Sequence, residues 1–209
     1  AVPVVLLLAN QLNLLNLSDS TAHTLGVNLT RLRLVINMLV LLLVGACVSV
    51  AGPVAFIGLL VPHLARFWAG FDQRNVLPVS MLLGATLMLL ADVLARALAF
   101  PGDLPAGAVL ALIGSPCLAG EEARMKIALV IFITLALAGC ALLSLHMGVI
   151  PVPWRALLTD WQAGREHYYV LMEYRLPRLL LALFVGAALA VAGVLVQGIA
   201  RNPLASPDI

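Results

Sequence analysis

The chain has 209 residues, of which 63% are hydrophobic and only 11% are charged, and its formal net charge is +2. Soluble globular domains carry roughly a quarter charged residues, so this composition excludes a single water-soluble core and indicates a chain that lies mostly in lipid. A net charge of +2 is too small to indicate nucleic acid as a partner. A membrane span needs about 20 mostly apolar residues, which leaves room for about six or seven spans.

The chain begins with the end of an apolar helix and continues into a polar stretch. Residues 2–12 are apolar and predict the end of a membrane span, whereas residues 18–33 are polar. Ser18 or Asp19 can cap a short helix at its start, and Gly26 can end it. A helix of about two turns is marginal by itself, so this segment is either a solvated loop helix or a helix that rests on a partner.

Residues 34–50 predict a clear span, and the stretch 51–66 that follows predicts a short, broken one. Its apolar sequence is interrupted at Gly52, Pro53, Gly58 and Pro62. Such residues are tolerated at membrane depth where neighbouring helices satisfy the freed backbone groups. The alternative is an ordinary proline-kinked span with a polar end. We interpret His63, near that end, as a packed or interfacial histidine rather than a proton carrier, because no acidic residue lies at helical spacing from it.

A loop is predicted at 70–75, and the apolar segment 76–100 after it predicts a long span. Asp92 and Arg96 lie near the far end of this span, four positions apart on one helix face, where a local ion pair is expected. Residues 106–116 are apolar but short for a complete span.

Residues 127–145 predict a further span, and residues 179–199 predict the last one. Between them, the polar region 146–177 is rich in tryptophan and tyrosine, which suits the headgroup level of a membrane. Small residues on one face of the last span permit close contact with another helix. They are Gly186, Ala190 and Gly193.

These segments predict an all-α protein, a polytopic transmembrane helical bundle with short broken spans. The sequence contains no GxxxxGK[ST] phosphate loop and no recognisable pairing of a nucleophile with a base. The chain is therefore not predicted to be an enzyme, and any ATP hydrolysis would belong to another polypeptide. The cysteines lie far apart in or beside apolar runs, so neither a cofactor nor a metal site is predicted.

Several motifs, in order and spacing, resemble the permeases of ABC importers for iron-siderophores, haem and vitamin B12. They are LGVNLTRLR at 25–33, GPVAFIGLLVPHLAR at 52–66, LPVS at 77–80 with LLADVLAR at 89–96, and LPAG at 104–107 with LIGSP at 112–116. In that family these motifs belong to the C-terminal half of a permease. Later motifs resemble the N-terminal half instead. These are YRLPR at 174–178, GAALA at 186–190 and QGIARNPLA at 197–205.

Because the end of one unit precedes the beginning of the next, the resemblance implies a tandem permease. Residues 1–124 would be the C-terminal half of a first unit, and residues 125–209 the N-terminal part of a second, fused unit. The stretch 118–124, LAGEEAR, departs from the family pattern. It leaves open whether 105–118 crosses the membrane and whether the junction is natural. The chain begins inside an apolar run and ends inside a motif, so we expect it to be part of a longer protein.

The tandem order is similar to that of ferrichrome-type permeases, which implies a ferric hydroxamate siderophore as the substrate. Haem, cobalamin and catecholate siderophores are alternatives within the family. An ion-coupled secondary transporter is an alternative from another class, but it would need partnered ionisable residues at mid-span, and the apolar spans offer almost none. A scaffold subunit without a path of its own is a third alternative.

The resemblance also implies a location and partners. It implies a multi-pass protein of the bacterial inner membrane that works with a homodimeric cytoplasmic ABC ATPase and a periplasmic siderophore-binding protein. Iron arrives inside its chelate, so no protein ligands to the metal are implied. Segment parity and the family resemblance, with weak support from a small excess of lysine and arginine, favour the loops 70–75 and 119–126 as cytoplasmic and the region 147–177 as periplasmic.

Roles for individual positions follow from the same resemblance. Contact with the ATPase is implied for Asp19, Ser20, Thr21, Ala22, His23, Thr24, Leu25, Gly26 and Val27. Docking of the binding protein is implied for Arg96, Arg175 and Arg178, whose guanidinium groups suit carboxylates.

For Arg175 and Arg178 a local argument supports the same role. Pro177 is expected in the first turn of the last helix, which would hold both arginines over the membrane surface. Snorkelling anchors are the alternative for this pair. Gln197 and Asn202 are candidates for the translocation path, although a turn before a proline is the simpler explanation of Asn202.

Overall fold

The computed structural model describes residues 9, 12–13, 28–52, 54, 56–70, 72–98, 126–147, 152, 165–200, 202 and 205. Its helices are α1 (Leu29–Ala51), α2 (Ile57–Ala69), α3 (Gln73–Leu98), α4 (Lys126–His146), α5 (Arg165–Tyr169), a π-helical turn (Val170–Arg175) and α6 (Leu176–Ala200). The described residues contain no strand, which confirms the all-α class.

Within the described part of the chain, three helical stretches are long and apolar enough to cross a membrane. They are Leu29–Ala51, Gln73–Ala97 and the continuous stretch His167–Ala200. Two shorter apolar helices, Ile57–Ala69 and Ile131–His146, accompany them. This combination of long and short apolar helices agrees with the predicted polytopic bundle.

The predicted break in the second apolar region is confirmed between α1 and α2. Gly52 follows α1 with φ 75° and donates its N–H to the carbonyl of Val48, as glycine commonly does at the end of a helix. Phe56, just before α2, also has φ 75°, a conformation that bulky residues rarely adopt. Helix α2 has 13 residues, or about 20 Å, which is too short to cross a bilayer by itself.

Helix α3 begins three residues earlier than the sequence predicted, because its N-terminus is capped from two directions. The Asp72 carboxylate accepts the backbone N–H of Arg74 at 3.0 Å, as an N-cap side chain does. The Asn13 side chain accepts the N–H of Gln73 at 2.8 Å and donates to Asp72 at 2.8 Å. The hydrogen bond from Asn13, followed by that from Arg74, lowers the pKa of Asp72 below its ordinary value. This stabilisation is therefore present at neutral pH and is lost as the pH falls through the lowered pKa.

The last helix also begins earlier than predicted, and the placement of Pro177 in a first turn was wrong. The chain is helical from Arg165 and passes through the π turn into α6 without interruption. The N–H of Leu176 bonds to the carbonyl of Leu171, five residues back. Proline lacks an N–H and its ring crowds the carbonyl four residues before it. The wider turn just before Pro177 relieves this conflict, so the helix continues through the proline.

Helix α6 lies at the centre of the bundle and packs against α1, α2 and α3, most extensively against α3. The predicted small-residue face makes these contacts possible. A methyl group on Gly186 would lie 2.7 Å from the carbonyl carbon of Gly84 in α3. A methyl group on Gly193 would lie 2.7 Å from both the Cα and the carbonyl carbon of Gly58 in α2. The backbones therefore touch where the face was predicted.

Proline also explains why α2 approaches α6 so closely at this point. Pro62 cannot donate the helical hydrogen bond that the carbonyl of Gly58 would otherwise receive. Gly193 packs on that carbonyl, in the arrangement that allows a weak Cα–H···O contact. The broken span and the small-residue face therefore form one contact.

Candidate functional site

Polar side chains gather at two levels of the bundle, about one membrane thickness apart. We define the arginine cluster as Asp92, Arg96, Ser144, Arg175 and Arg178, and the glutamine lock as Leu59, Arg66 and Gln197. In helix α6, Arg178 and Gln197 are separated by about 28 Å at 1.5 Å per residue. The hydrocarbon core of a bilayer is about 30 Å thick, so the two groups lie near opposite faces of the membrane.

Within the arginine cluster, Arg96 joins α3 to the end of α4. Its Nη2 atom lies 2.7 Å from Asp92 Oδ2, which confirms the predicted ion pair four residues apart. The same guanidinium donates to the hydroxyl of Ser144 at 2.7 Å and to its carbonyl at 3.3 Å. It also reaches the carbonyl of Met147 at 3.4 Å. Arg96 is thus bound by Asp92 of its own helix and by the end of α4.

Arg175 also donates hydrogen bonds to the C-terminal end of α4. Its side chain is buried, and its Nη1 atom donates to the carbonyl of His146 at 3.0 Å and to that of Leu145. Arg96 and Arg175 together therefore serve the carbonyls of residues 144–147 at the end of α4, where the last carbonyls of a helix need donors from outside the helix. Positive charge at a helix C-terminus is also favourable with the helix dipole.

This position corrects the local argument about the two arginines at the start of the last helix. That argument placed Arg175 and Arg178 in the first turn of the last helix, but the helical stretch already begins at Arg165. Arg175 points into the bundle instead of lying over the membrane surface. Sequence reasoning missed its capping role because the carbonyls it serves lie 29 and 30 residues away.

Arg178 is the outward-facing member of the cluster. Its Nε atom donates to Asp92 Oδ1 at 2.8 Å, while its side chain is 53% exposed. The Asp92 side chain is only 8% exposed and holds Arg96 through its other oxygen. The structure thus brings together Arg96, Arg175 and Arg178, the residues that the sequence nominated for docking. The buried Asp92 carboxylate joins Arg96 to Arg178, and Arg175 shares the end of α4 with Arg96.

The glutamine lock fastens α6 to α2 at the other level. Gln197 is buried; its Oε1 accepts from Arg66 Nη1 at 2.6 Å and its Nε2 donates to the carbonyl of Leu59 at 3.1 Å. Asn202 is exposed, and its carbonyl accepts the N–H of Ala205 at 3.2 Å, as in a turn. A role of Gln197 or Asn202 in the translocation path stays a prediction.

Other sequence expectations fall on residues outside the described part of the chain. These include the proposed ATPase contact at 19–27, the segment 105–118 and the junction at 118–124. Among the described residues, no group of three histidine, cysteine, aspartate or glutamate side chains could hold a metal ion. Cys47 is buried and Cys140 is partly buried, both as free thiols.

The glutamine lock leads to a stability prediction. Gln197→Met keeps the length of the side chain but removes both hydrogen bonds, so Arg66 loses its acceptor in a partly buried site. We expect the free energy of unfolding to fall by about 2–4 kcal/mol, measured by SDS titration of the full-length protein in detergent. Asn202→Ala, which changes an exposed residue just beyond the end of α6, serves as the comparison and should lower the free energy of unfolding by less than Gln197→Met does. Equal stability of Gln197→Met and the wild type would contradict the lock.

Comparison with known proteins decides the family. The profile of the FecCD transport family matches residues 1–120 and 130–209. The chain belongs to the FecCD transport family. No solved structure matches the chain at a significant level.

Individual FecCD relatives are each similar to part of the chain. The Fe(3+) dicitrate transport system permease protein FecD of Escherichia coli K12 is 96% identical over 85 residues, which are 41% of this chain and 27% of the relative. The Fe(3+)-citrate import system permease protein YfmD of Bacillus subtilis is 47% identical over 113 residues, or 54% of this chain and 34% of the relative. The hemin transport system permease protein HmuU of Yersinia pestis is 50% identical over 111 residues, or 53% of this chain and 33% of the relative.

The chain therefore spans about a third or less of the length of these relatives. Family membership and the apolar spans together make it a multi-pass protein of the bacterial inner membrane. The predicted permease family is confirmed. Tandem fusion and a preference for hydroxamates stay predictions.

Proposed function

We propose that the chain is part of the permease of an ABC importer that carries iron as ferric citrate. The observation that carries the proposal is the 96% identity over 85 residues to a permease named for Fe(3+) dicitrate. Two Bacillus subtilis permeases named for Fe(3+)-citrate, at 47% and 43% identity, support the same substrate class. Ferric citrate therefore replaces ferric hydroxamate as our preferred substrate, since the hydroxamate prediction rested on motif order alone.

Haem is the second candidate substrate. It is supported by the 50% identity to a permease named for hemin transport. Ferric hydroxamate, catecholate siderophores and cobalamin are further alternatives that a direct uptake assay separates.

The proposed importer needs two partners besides lipid. A separate ATPase would supply the energy and would contact the segment 19–27, and a soluble periplasmic binding protein would deliver the chelate. Residues 1–124 and 125–209 would contribute the later half of one permease unit and the earlier part of another. The separate family matches at 1–120 and 130–209 agree with this division.

For docking of the binding protein we propose Arg178 as the contacting residue, with Arg96 and Arg175 behind it. Arg178 is the exposed arginine of the cluster, whereas Arg175 is buried on the end of α4. Together the three guanidiniums give this end of the bundle an excess of positive charge over Asp92. Such a patch mainly speeds and orients the approach of an acidic partner.

Uptake of radioactive iron by proteoliposomes tests this function. The full-length importer, supplied with ATP and its binding protein, should accumulate iron from ferric citrate and not from ferric hydroxamate or haem. Uptake driven by a proton gradient without ATP would favour the secondary-transporter alternative and contradict the proposal. Preferential uptake of haem would transfer the assignment to the second candidate.

A charge reversal tests the docking surface in the same preparation. Arg178→Glu should weaken docking of the binding protein about tenfold or more at low salt, because it turns an attraction into a repulsion. The affinity of the wild-type permease for the binding protein should fall as the salt concentration is raised, since exposed charges are screened. Arg74→Glu, an exposed arginine near the opposite end of α3, is the matched control and should dock normally. Equal docking of both variants would exclude Arg178 from the interface.

A further inference from the structure

The carboxylate of Asp92 is shared between two arginines that differ in their surroundings. Its Oδ2 lies 2.7 Å from Arg96 Nη2, and its Oδ1 accepts from Arg178 Nε at 2.8 Å. The Arg96 side chain is 17% exposed, whereas that of Arg178 is 53% exposed. Asp92 therefore has one inner partner and one outer partner.

The inner arginines have further acceptors within the bundle, and the outer one is turned towards its surroundings. Arg96 and Arg175 donate to carbonyls at the end of α4, so α4 fixes the positions of both, and Arg96 is also paired with Asp92. Arg178 is tied to the bundle by its hydrogen bond to Asp92. Glu173, on the π turn, is a further acidic residue near this end, and it is exposed.

These contacts differ in how easily another carboxylate can replace Asp92. An ion pair with one half-exposed partner is weak, since water and salt already screen it. The pair with Arg96 is better shielded and is reinforced by the hydroxyl of Ser144. An incoming acidic side chain would therefore take Arg178 from Asp92 and leave Arg96 in place.

We propose that Asp92 occupies the carboxylate position on Arg178 until an acidic side chain of the docking protein displaces it. This inference rests on the proposed docking function and adds a competing residue to it. Asp92 is thus a positioning residue: it holds the half-exposed side chain of Arg178 at the surface of the bundle and, by competing for it, sets the affinity of docking. Each docking event exchanges one intramolecular ion pair for one intermolecular pair, so Arg178 keeps a carboxylate partner throughout while Asp92 remains paired with Arg96.

If Asp92 competes for Arg178, replacing Asp92 should raise the affinity of docking, whereas a purely structural role predicts a lower affinity. Asp92→Asn frees Arg178 and should tighten docking about two- to fivefold, the range that loss of a weak ion pair gives. A residue that only supports the fold would weaken docking when it is replaced. Glu173→Gln removes one negative charge from the same end without touching the ion pair, and it shows how much of the change is a general effect of charge.

The measurement uses the full-length permease in lipid nanodiscs and the fluorescently labelled ferric-citrate-binding protein of the same importer. We expect Asp92→Asn to tighten docking more than Glu173→Gln does. We also expect this tightening to disappear when Arg178→Gln is added. Tightening equal to that of Glu173→Gln, or weaker docking by a folded Asp92→Asn protein, overturns the inference. If the wild type does not dock at all, the docking function itself fails, which is a distinguishable outcome.

A second measurement uses the unaltered sequence, in case Asp92→Asn does not fold. Solid-state NMR can record the dipolar coupling between Arg178 Nε and Asp92 Cγ in isotopically labelled protein. The coupling should be strong in the free permease and should be lost when the binding protein saturates it, while the coupling of Asp92 to Arg96 remains. An Arg178 coupling that survives saturation overturns the inference even though docking occurs.

Discussion

Gly193→Ala should destabilise the full-length protein by about 3 kcal/mol or more. The added methyl group would overlap the backbone of Gly58, with the carbonyl carbon and Cα both 2.7 Å away. Backbone atoms cannot move aside as a flexible side chain can, so α2 and α6 must separate or shift. Separation would also stretch the hydrogen bonds of the glutamine lock. SDS titration in detergent, followed by circular dichroism, measures the loss.

Gly198→Ala is the matched control because it places the same substitution in the same helix. A methyl group there meets nothing within 4 Å. The higher helix propensity of alanine makes this change neutral or stabilising by up to about 1 kcal/mol. Similar stability of the two variants would show that the contact between Gly58 and Gly193 does not limit the packing.

Arg175→Gln and Arg178→Gln should separate fold stability from docking. Arg175→Gln removes a buried guanidinium that serves two carbonyls at the end of α4. Because such hydrogen bonds from a charged group contribute about 1.5–3 kcal/mol each, we expect a loss of about 3 kcal/mol. Arg178→Gln breaks a half-exposed ion pair and should cost less than about 1 kcal/mol.

Docking should respond in the opposite order. Arg178→Gln should weaken binding of the soluble partner, whereas any folded Arg175→Gln protein should bind within about twofold of the wild type, because Arg175 is buried. Thermal unfolding and binding are measured on the same nanodisc samples. An unstable Arg178→Gln together with a stable Arg175→Gln would reverse the roles assigned to the two residues.

Patterns that are local in the sequence were predicted well. The excess of apolar residues placed the chain in lipid, since few charged groups can be buried in a bilayer. Gly52 and Pro62 predicted the break between α1 and α2, because both act on the backbone of their own segment. Gly186 and Gly193 predicted a contact face, since small residues at helical spacing lie side by side whatever the partner is.

Motif order was informative about the family but not about the chelate. The motifs at 52–66 and 89–96 led to the permease family that the FecCD match confirms. The hydroxamate prediction came from the reversed order of the two halves, which concerns how units are joined. Chelate recognition depends on side chains that meet a ligand, so the order of motifs does not determine it.

Only the tertiary structure decided what the polar residues do. The spacing of Asp92 and Arg96 correctly predicted an ion pair. The spacing of Arg175 and Arg178 around Pro177 wrongly predicted that both lie over the membrane surface, because Arg175 is buried. Arg178 pairs with an acid 86 residues away, and Gln197 bonds to Arg66 across 131 residues. The π turn before Pro177 likewise depends on the whole helix that runs through it. Sequence periodicity describes one helix at a time, whereas the partners of a buried polar group are chosen by whichever helices pack beside it.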